Sequence, residues 1–197
     1  DTVNQLMMST ADIIHNKNGV PAAVRKQGAG LVNITESTTT QAYLTTYDKK
    51  GNVMEKAKLE LGDDKDRTGV FEMTFAINNI SDVTVSYDVN AIIQTEGISK
   101  TYTNHGETTV TQEGYLLKGA KLTVTQVSTA VQNGNTVSVA AGQVGIVKVK
   151  VELSAEDKQY LESSFKYGMY VEGFITLKAT NGTKVDLNVP MLAFYGD

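Results

Sequence analysis

The residue types able to do chemistry are few in this chain, which has two histidines and no cysteine. His15 follows the expected first helix, and His105 sits in Asn104-His105-Gly106-Glu107. A histidine works as a general base only when a nucleophile and an orienting acid stand within hydrogen-bond reach. Neither neighbourhood supplies that set, so both read as surface histidines, and no catalytic or cofactor-binding residue is assigned. Without cysteine there is neither a thiolate site nor a disulfide framework, and redox compartment cannot be read. Asp64-Lys65-Asp66-Arg67-Thr68-Gly69 places carboxylates at alternate positions before a turn-making glycine, as at the start of a calcium loop. The twelfth position is Phe75 rather than Glu, and Phe75 is wanted by the apolar face of its strand. Asp64 and Asp66 therefore stand as candidate calcium ligands against a competing reading as a polar turn leading into that strand. Gly28 and Gly30 are too few for a phosphate cradle: no strand precedes them and no Lys-Ser/Thr follows. They read instead as a close approach of two backbones. Glu172 lies on the outward-alternating face of a strand between Tyr170 and Phe174, where a cross-strand pair with Lys184 is expected. The nine tyrosines suggest a glycan platform, yet Tyr43, Tyr47, Tyr87 and Tyr195 fall in strands, where tyrosine is favoured for packing.

Composition narrows the function classes. A net charge of −4 and a pI near 5.3 leave no electrostatic footprint for nucleic acid. No apolar run approaches the roughly 20 residues that span a bilayer, and no basic-then-apolar leader opens the chain. At 197 residues the chain can hold one large β domain with a sizeable core.

The elements that must position these residues are mostly strands. Met169, Val171, Gly173, Ile175 and Leu177 alternate with Tyr170, Glu172, Phe174, Thr176 and Lys178. Thr180-Asn181-Gly182-Thr183 then turns the chain into the Val185, Leu187, Val189 alternation, a hairpin. Pro190 should weaken pairing, and the chain beyond it should run along a sheet edge. Strands are also expected over Ala42 to Tyr47 and Val53 to Leu61, around the Asp48-Lys49-Lys50-Gly51 turn. Phe71, Met73, Phe75 and Ile77 form one apolar face; Val83 to Ile93 follows and reads as its hairpin partner. Residues 95–118 read as an extended loop or small accessory hairpin. Short strands flank Asn133-Gly134-Asn135, and Val147, Val149, Val151 and Leu153 face the core. Ser154 caps a helix with Leu161 and Phe165 on one face. At the N-terminus, Val3, Leu6, Met7 and Ile14 share a helical face that should run to Asn18-Gly19-Val20-Pro21. The fold class is mainly β: a fibronectin type III-like β-sandwich with one short late helix, preceded by a helix-and-loop segment.

Two groups of motifs carry a family resemblance. Leu6-Met7-Met8-Ser9-Thr10-Ala11 with Arg25-Lys26-Gln27-Gly28-Ala29-Gly30-Leu31-Val32-Asn33 resembles the closing part of a subtilisin-like (S8 family) serine protease domain. Tyr170-Val171-Glu172-Gly173-Phe174, Val189-Pro190 and Phe194-Tyr195-Gly196-Asp197 resemble the fibronectin-like domain that follows it in cell-envelope proteinases of the C5a peptidase and lactocepin type. The resemblance implies that residues 1–37 are a remnant of an α/β catalytic domain and 38–197 a fibronectin type III-like domain. It implies a secreted or cell-wall location in a bacterium, protein or peptide substrates, and the catalytic domain of the same chain as partner. The family's Gly-Thr-Ser-Met-Ala, His-Gly-Thr and Asp-x-Gly motifs are absent, so the fragment alone should lack activity. Self-association through the N-terminal helix is a further expectation. The alternative is a free-standing adhesion or carbohydrate-binding sandwich, which does not account for residues 1–37.

Overall fold

A computed structural model describes residues 2–99 and 109–197. His105 lies outside them. The chain opens with three short helices, α1 (Thr2–Ser9), α2 (Val24–Gln27) and α3 (Ile34–Thr39). The first ends earlier than its apolar spacing suggests. Ser9 and Thr10 turn their hydroxyls back onto the carbonyls of Gln5 and Leu6, a bond that competes with helix continuation. His15 then bridges to Pro21 across the Asn18-Gly19 turn, and Asp12 bridges to Leu31. Gly30 has φ +123, and a Cβ there would overlap the Asp12 backbone, so the expected close approach is present. Helix α3 went unrecognised in the sequence although Asn33 caps it, its side chain accepting from the Glu36 N–H at 3.0 Å.

Among the described residues, the strands form two sheets. The smaller is ordered β1 (Ala42–Thr46), β3 (Val70–Asn79), β9 (Val144–Glu152), β6 (Lys121–Ser128). The larger is seven-stranded. It runs from β2 (Leu59–Asp64) through β11 (Leu187–Tyr195), β10 (Met169–Thr180) and β4 (Val85–Ser99) to β8 (Thr136–Val139) and β7 (Val131–Asn133), with β5 (Thr109–Leu116) also paired to β4. The mainly β, fibronectin-like sandwich expected from the alternations is the observed architecture.

Several connections differ from expectation because consecutive strands join opposite sheets. The Asp48–Gly51 turn forms, but Val53 makes only an isolated bridge to Tyr47 before the chain crosses over, and β2 adds to β11 in parallel. Strands β3 and β4 are likewise not a hairpin: the chain passes from one sheet to the other between Asn79 and Val85. Asn79 fastens that passage, its buried amide donating to the carbonyls of Val83, Val139 and Ala140. Strand β4 extends to Ser99 and pairs antiparallel with β5, so the described residues of 95–118 favour the accessory-hairpin reading over the loop. The β10–β11 hairpin holds in register from Met169↔Tyr195 to Leu177↔Leu187. Pairing does not weaken at Pro190, which faces Phe174 one residue before the β2 ladder begins at Met191. With β2 alongside, β11 is an inner strand.

The core lies between the sheets. Phe71, Met73, Phe75 and Ile77 meet Val147, Val149 and Val151 from the neighbouring strand, and Tyr87, Val89, Ile175, Leu177, Leu187 and Val189 from the opposite sheet. Helix α4 (Ala155–Ser164) closes one end with Leu161 and Phe165. Ser154 and Asp157 form a reciprocal capping box at its start.

Candidate functional site

The outer face of the smaller sheet is solvated, with Glu72 exposed and Lys150 paired to Glu152 at 3.1 Å. The outer face of the larger sheet is covered in part. Strand β10 is buried on both faces from Val171 to Ile175. Phe174 is 0% exposed yet does not belong to the central core. Its cover is the N-terminal segment: Ser9, Thr10, Ala11, Pro21 and Ala29 are buried, and Asn188 of β11 donates to the Ala11 carbonyl at 2.9 Å. Helix α1 turns Gln5 and Ser9 inward rather than an apolar stripe; Gln5 donates to the Met54 carbonyl and Ser9 accepts from the Leu44 N–H. The segment is thus a strap laid across the sheet.

One charged contact anchors it. Glu172, expected to face solvent, is 2% exposed. Its ladder partner is Leu192 rather than a residue near Lys184. Its ion-pair partner is Arg25, far away in sequence: the Arg25 backbone N–H donates to Glu172 Oε2 and the guanidinium to Oε1, both at 3.2 Å. The same guanidinium pairs with Glu96 of β4 and stacks 4.4 Å above the Tyr170 ring, which meets Phe194 edge-on. Burial works against the Arg25 charge, but its hydrogen bonds to the Glu96 and Glu172 carboxylates outweigh it and raise the guanidinium above its ordinary value. Beside this anchor Gln94 is buried, its amide donating to the Ala22 carbonyl at 3.3 Å. Two carboxylates sharing one cation make a structural joint between the strap and the sandwich.

One stretch of the strap's exposed side is apolar. Leu31, Val32 and Ile34 are 64%, 51% and 72% exposed. Nearby, Glu36 is held above the usual carboxylate range by burial and by repulsion from Asp12 and Asp186.

The remaining sequence candidates are dispersed. His15 is exposed in its bridge to Pro21. Asp64 accepts from the Thr68 N–H and hydroxyl and from the Gly69 N–H, closing the turn into β3, while Asp66 is exposed. Tyr43 is half-buried in β1, and Tyr87 and Tyr195 lie in the core; burial pushes both phenols up, and a bond to Glu162 adds to the shift at Tyr195. Sequence reasoning missed Arg25 as partner of Glu172. The available signal was that β10 and β11 carry large apolar residues on both faces, Phe174, Pro190 and Phe194 included, the pattern of a strand covered twice.

The fold and this seam define the class of the protein. The profile of the Fn3-like domain family matches residues 59–192. The chain belongs to that family. Over its full length it is 26% identical to the PI-type proteinase of Lactococcus lactis subsp. cremoris, of which it spans 9%. It is 23% identical to the C5a peptidase of Streptococcus pyogenes serotype M1, again along the whole chain, and spans 14% of that protein. The similarity to proteinases of these types, read above from short motifs, therefore runs end to end through a small part of much larger proteins. Among solved structures, the PapD-like domain of human CEP192 overlaps 79% of the chain and 84% of its own length, with a TM-score of 0.42 and 7% identity. No helix among the described residues is long and apolar enough to cross a membrane.

Proposed function

We propose that this chain is a non-catalytic part of a bacterial subtilisin-like serine endopeptidase, secreted or held at the cell wall. In this reading the strap of residues 2–37 is the closing portion of the catalytic domain, and the sandwich is a base that holds that domain and helps position protein substrates. The observation that carries the reading is where two similarities begin. The Fn3-like match starts at residue 59, whereas the match to proteinases covers the whole chain. The strap is thus shared with proteinases but lies outside the Fn3-like match. Its inner side is bonded to the sandwich through Arg25, and its outer side offers Leu31, Val32 and Ile34 to a partner; an apolar patch of that kind marks an interaction surface. Peptide hydrolysis would be done by an Asp-His-Ser set and an oxyanion donor in the partner domain.

Sequencing the reading frame upstream of Asp1 tests this directly. A Gly-Thr-Ser-Met-Ala stretch is expected there, and an upstream frame encoding no protease motif would sink the proposal. The chain by itself should leave casein intact; cleavage blocked by a serine-directed phosphonate, in a preparation free of host protease, would contradict it.

A further inference from the structure

Three elements enclose an open groove of about 790 Å³, within the range of small-molecule sites. One wall is the Asn18–Val20 turn of the strap, the second is β5 with the turn that follows it, and the third is α4. Two tyrosines join the last two walls. Tyr115 and Tyr160 lie flat on one another, with centroids 3.7 Å apart and planes 5° from parallel. Tyr160 is held from beneath, its hydroxyl donating to the Glu96 carbonyl at 3.0 Å and its ring meeting Phe165 edge-on. The Tyr115 ring is therefore backed by a fixed support, yet the residue stays 42% exposed. Around it stand Asn18, Gln159, Lys118 and Glu156. Asp157 also lines the groove but is committed to the capping box and to the Gly119 N–H. One ammonium, Lys118, stands against two carboxylates, Glu156 and Asp157, which works against an anionic ligand and leaves a neutral one unopposed.

We propose that this groove binds a neutral oligosaccharide, with a pyranose ring laid on the face of Tyr115 and its hydroxyls bonded by the surrounding amide, ammonium and carboxylate groups. A preorganised aromatic face contributes contact area at small entropic cost. The competing occupant, a proline-rich peptide, docks between aromatic side chains that line a groove. Here the rings are closed onto each other and present one face, with no slot between them. The proposal stands independently of the protease reading.

The test is an amide NMR titration of the whole chain with chitotetraose, cellotetraose, maltotetraose and mannotetraose, and with decaproline as the peptide arm. At least one tetrasaccharide is expected to shift the Tyr115, Lys118 and Gln159 amides saturably. Tyr115→Ala should weaken that binding about tenfold or more, while Tyr115→Phe retains it. If Tyr115→Ala lowers the melting temperature, Gln159→Leu examines the opposite wall without disturbing the stack, and is again expected to weaken binding. The proposal is overturned if none of the four sugars shifts these amides. It is equally overturned if decaproline saturates them in place of sugar, or if sugar binding survives the wall substitutions unchanged.

Discussion

Arg25→Ala isolates the joint between strap and sandwich. The substitution takes the guanidinium away from Glu172, 2% exposed, and leaves it the backbone N–H of residue 25 at 3.2 Å. Removing one partner of a buried ion pair costs about 3–5 kcal/mol. The Arg25 side chain is 33% exposed and the N–H contact persists, so the expected loss lies at the lower end, about 3 kcal/mol. Urea denaturation followed by circular dichroism measures it. A second substitution, Glu172→Gln, should restore much of the loss, because the stranded charge rather than the missing attraction is the main cost; the cycle should give a coupling of about 2 kcal/mol. An unfolding free energy for Arg25→Ala within about 0.5 kcal/mol of the parent would refute the anchoring role. So would a double variant no better than the single one.

Three other outcomes follow from the same geometry. Phe174→Ala should cost about 3–5 kcal/mol, as should Phe75→Ala in the main core, but only the former should speed proteolytic nicking at the Asn16–Gly19 turn, since Phe174, unlike Phe75, is buried outside the central core. Equal nicking of both variants would contradict the assignment of Phe174 to a separate layer. Glu36 is raised by burial and by Asp12 and Asp186, so the folded state holds its proton longer and loses stability as pH rises through the interval above the unfolded carboxyl value. Glu36→Gln should therefore raise the thermal midpoint at neutral pH and lose that advantage near pH 3; a gap independent of pH would count against the repulsion. Deleting the first 39 residues should lower the melting temperature and increase binding of a hydrophobic dye, because Phe174, Glu172 and Gln94 lose their cover. An unchanged melt would show that the sandwich from Ala42 onward stands without the strap.

That last outcome reverses what the alternation of β10 alone suggests, and the reason shows which parts of this fold were legible. Local signals carried well: Asn181-Gly182 makes its turn with φ of 52° and 89°, Ser154 caps α4, and Phe71, Met73, Phe75 and Ile77 all point inward. Each depends on residues within a few positions of one another. A two-residue period separates the faces of a strand but cannot say what lies against the second face. Taking that face as solvent placed Glu172 and Phe174 outside and left the Arg25 contact, which spans most of the chain, without a partner to look for. Strand order is similarly nonlocal: the Asp48–Gly51 turn is a real turn, yet it leads into a crossover, because β2 finds its apolar neighbours on β11. The resemblance of residues 6–11 and 25–33 to a protease marked the strap as distinct in origin but was silent on where it goes. Its buried contacts include four polar ones, Gln5 to Met54, Ser9 to Leu44, Asn188 to Ala11, Arg25 to Glu172. A surface held by such bonds fixes orientation more strictly than an apolar one, because each bond left unmade strands a buried polar group. Its geometry is therefore suited to holding whatever packs on Leu31, Val32 and Ile34 at a set angle to the sandwich.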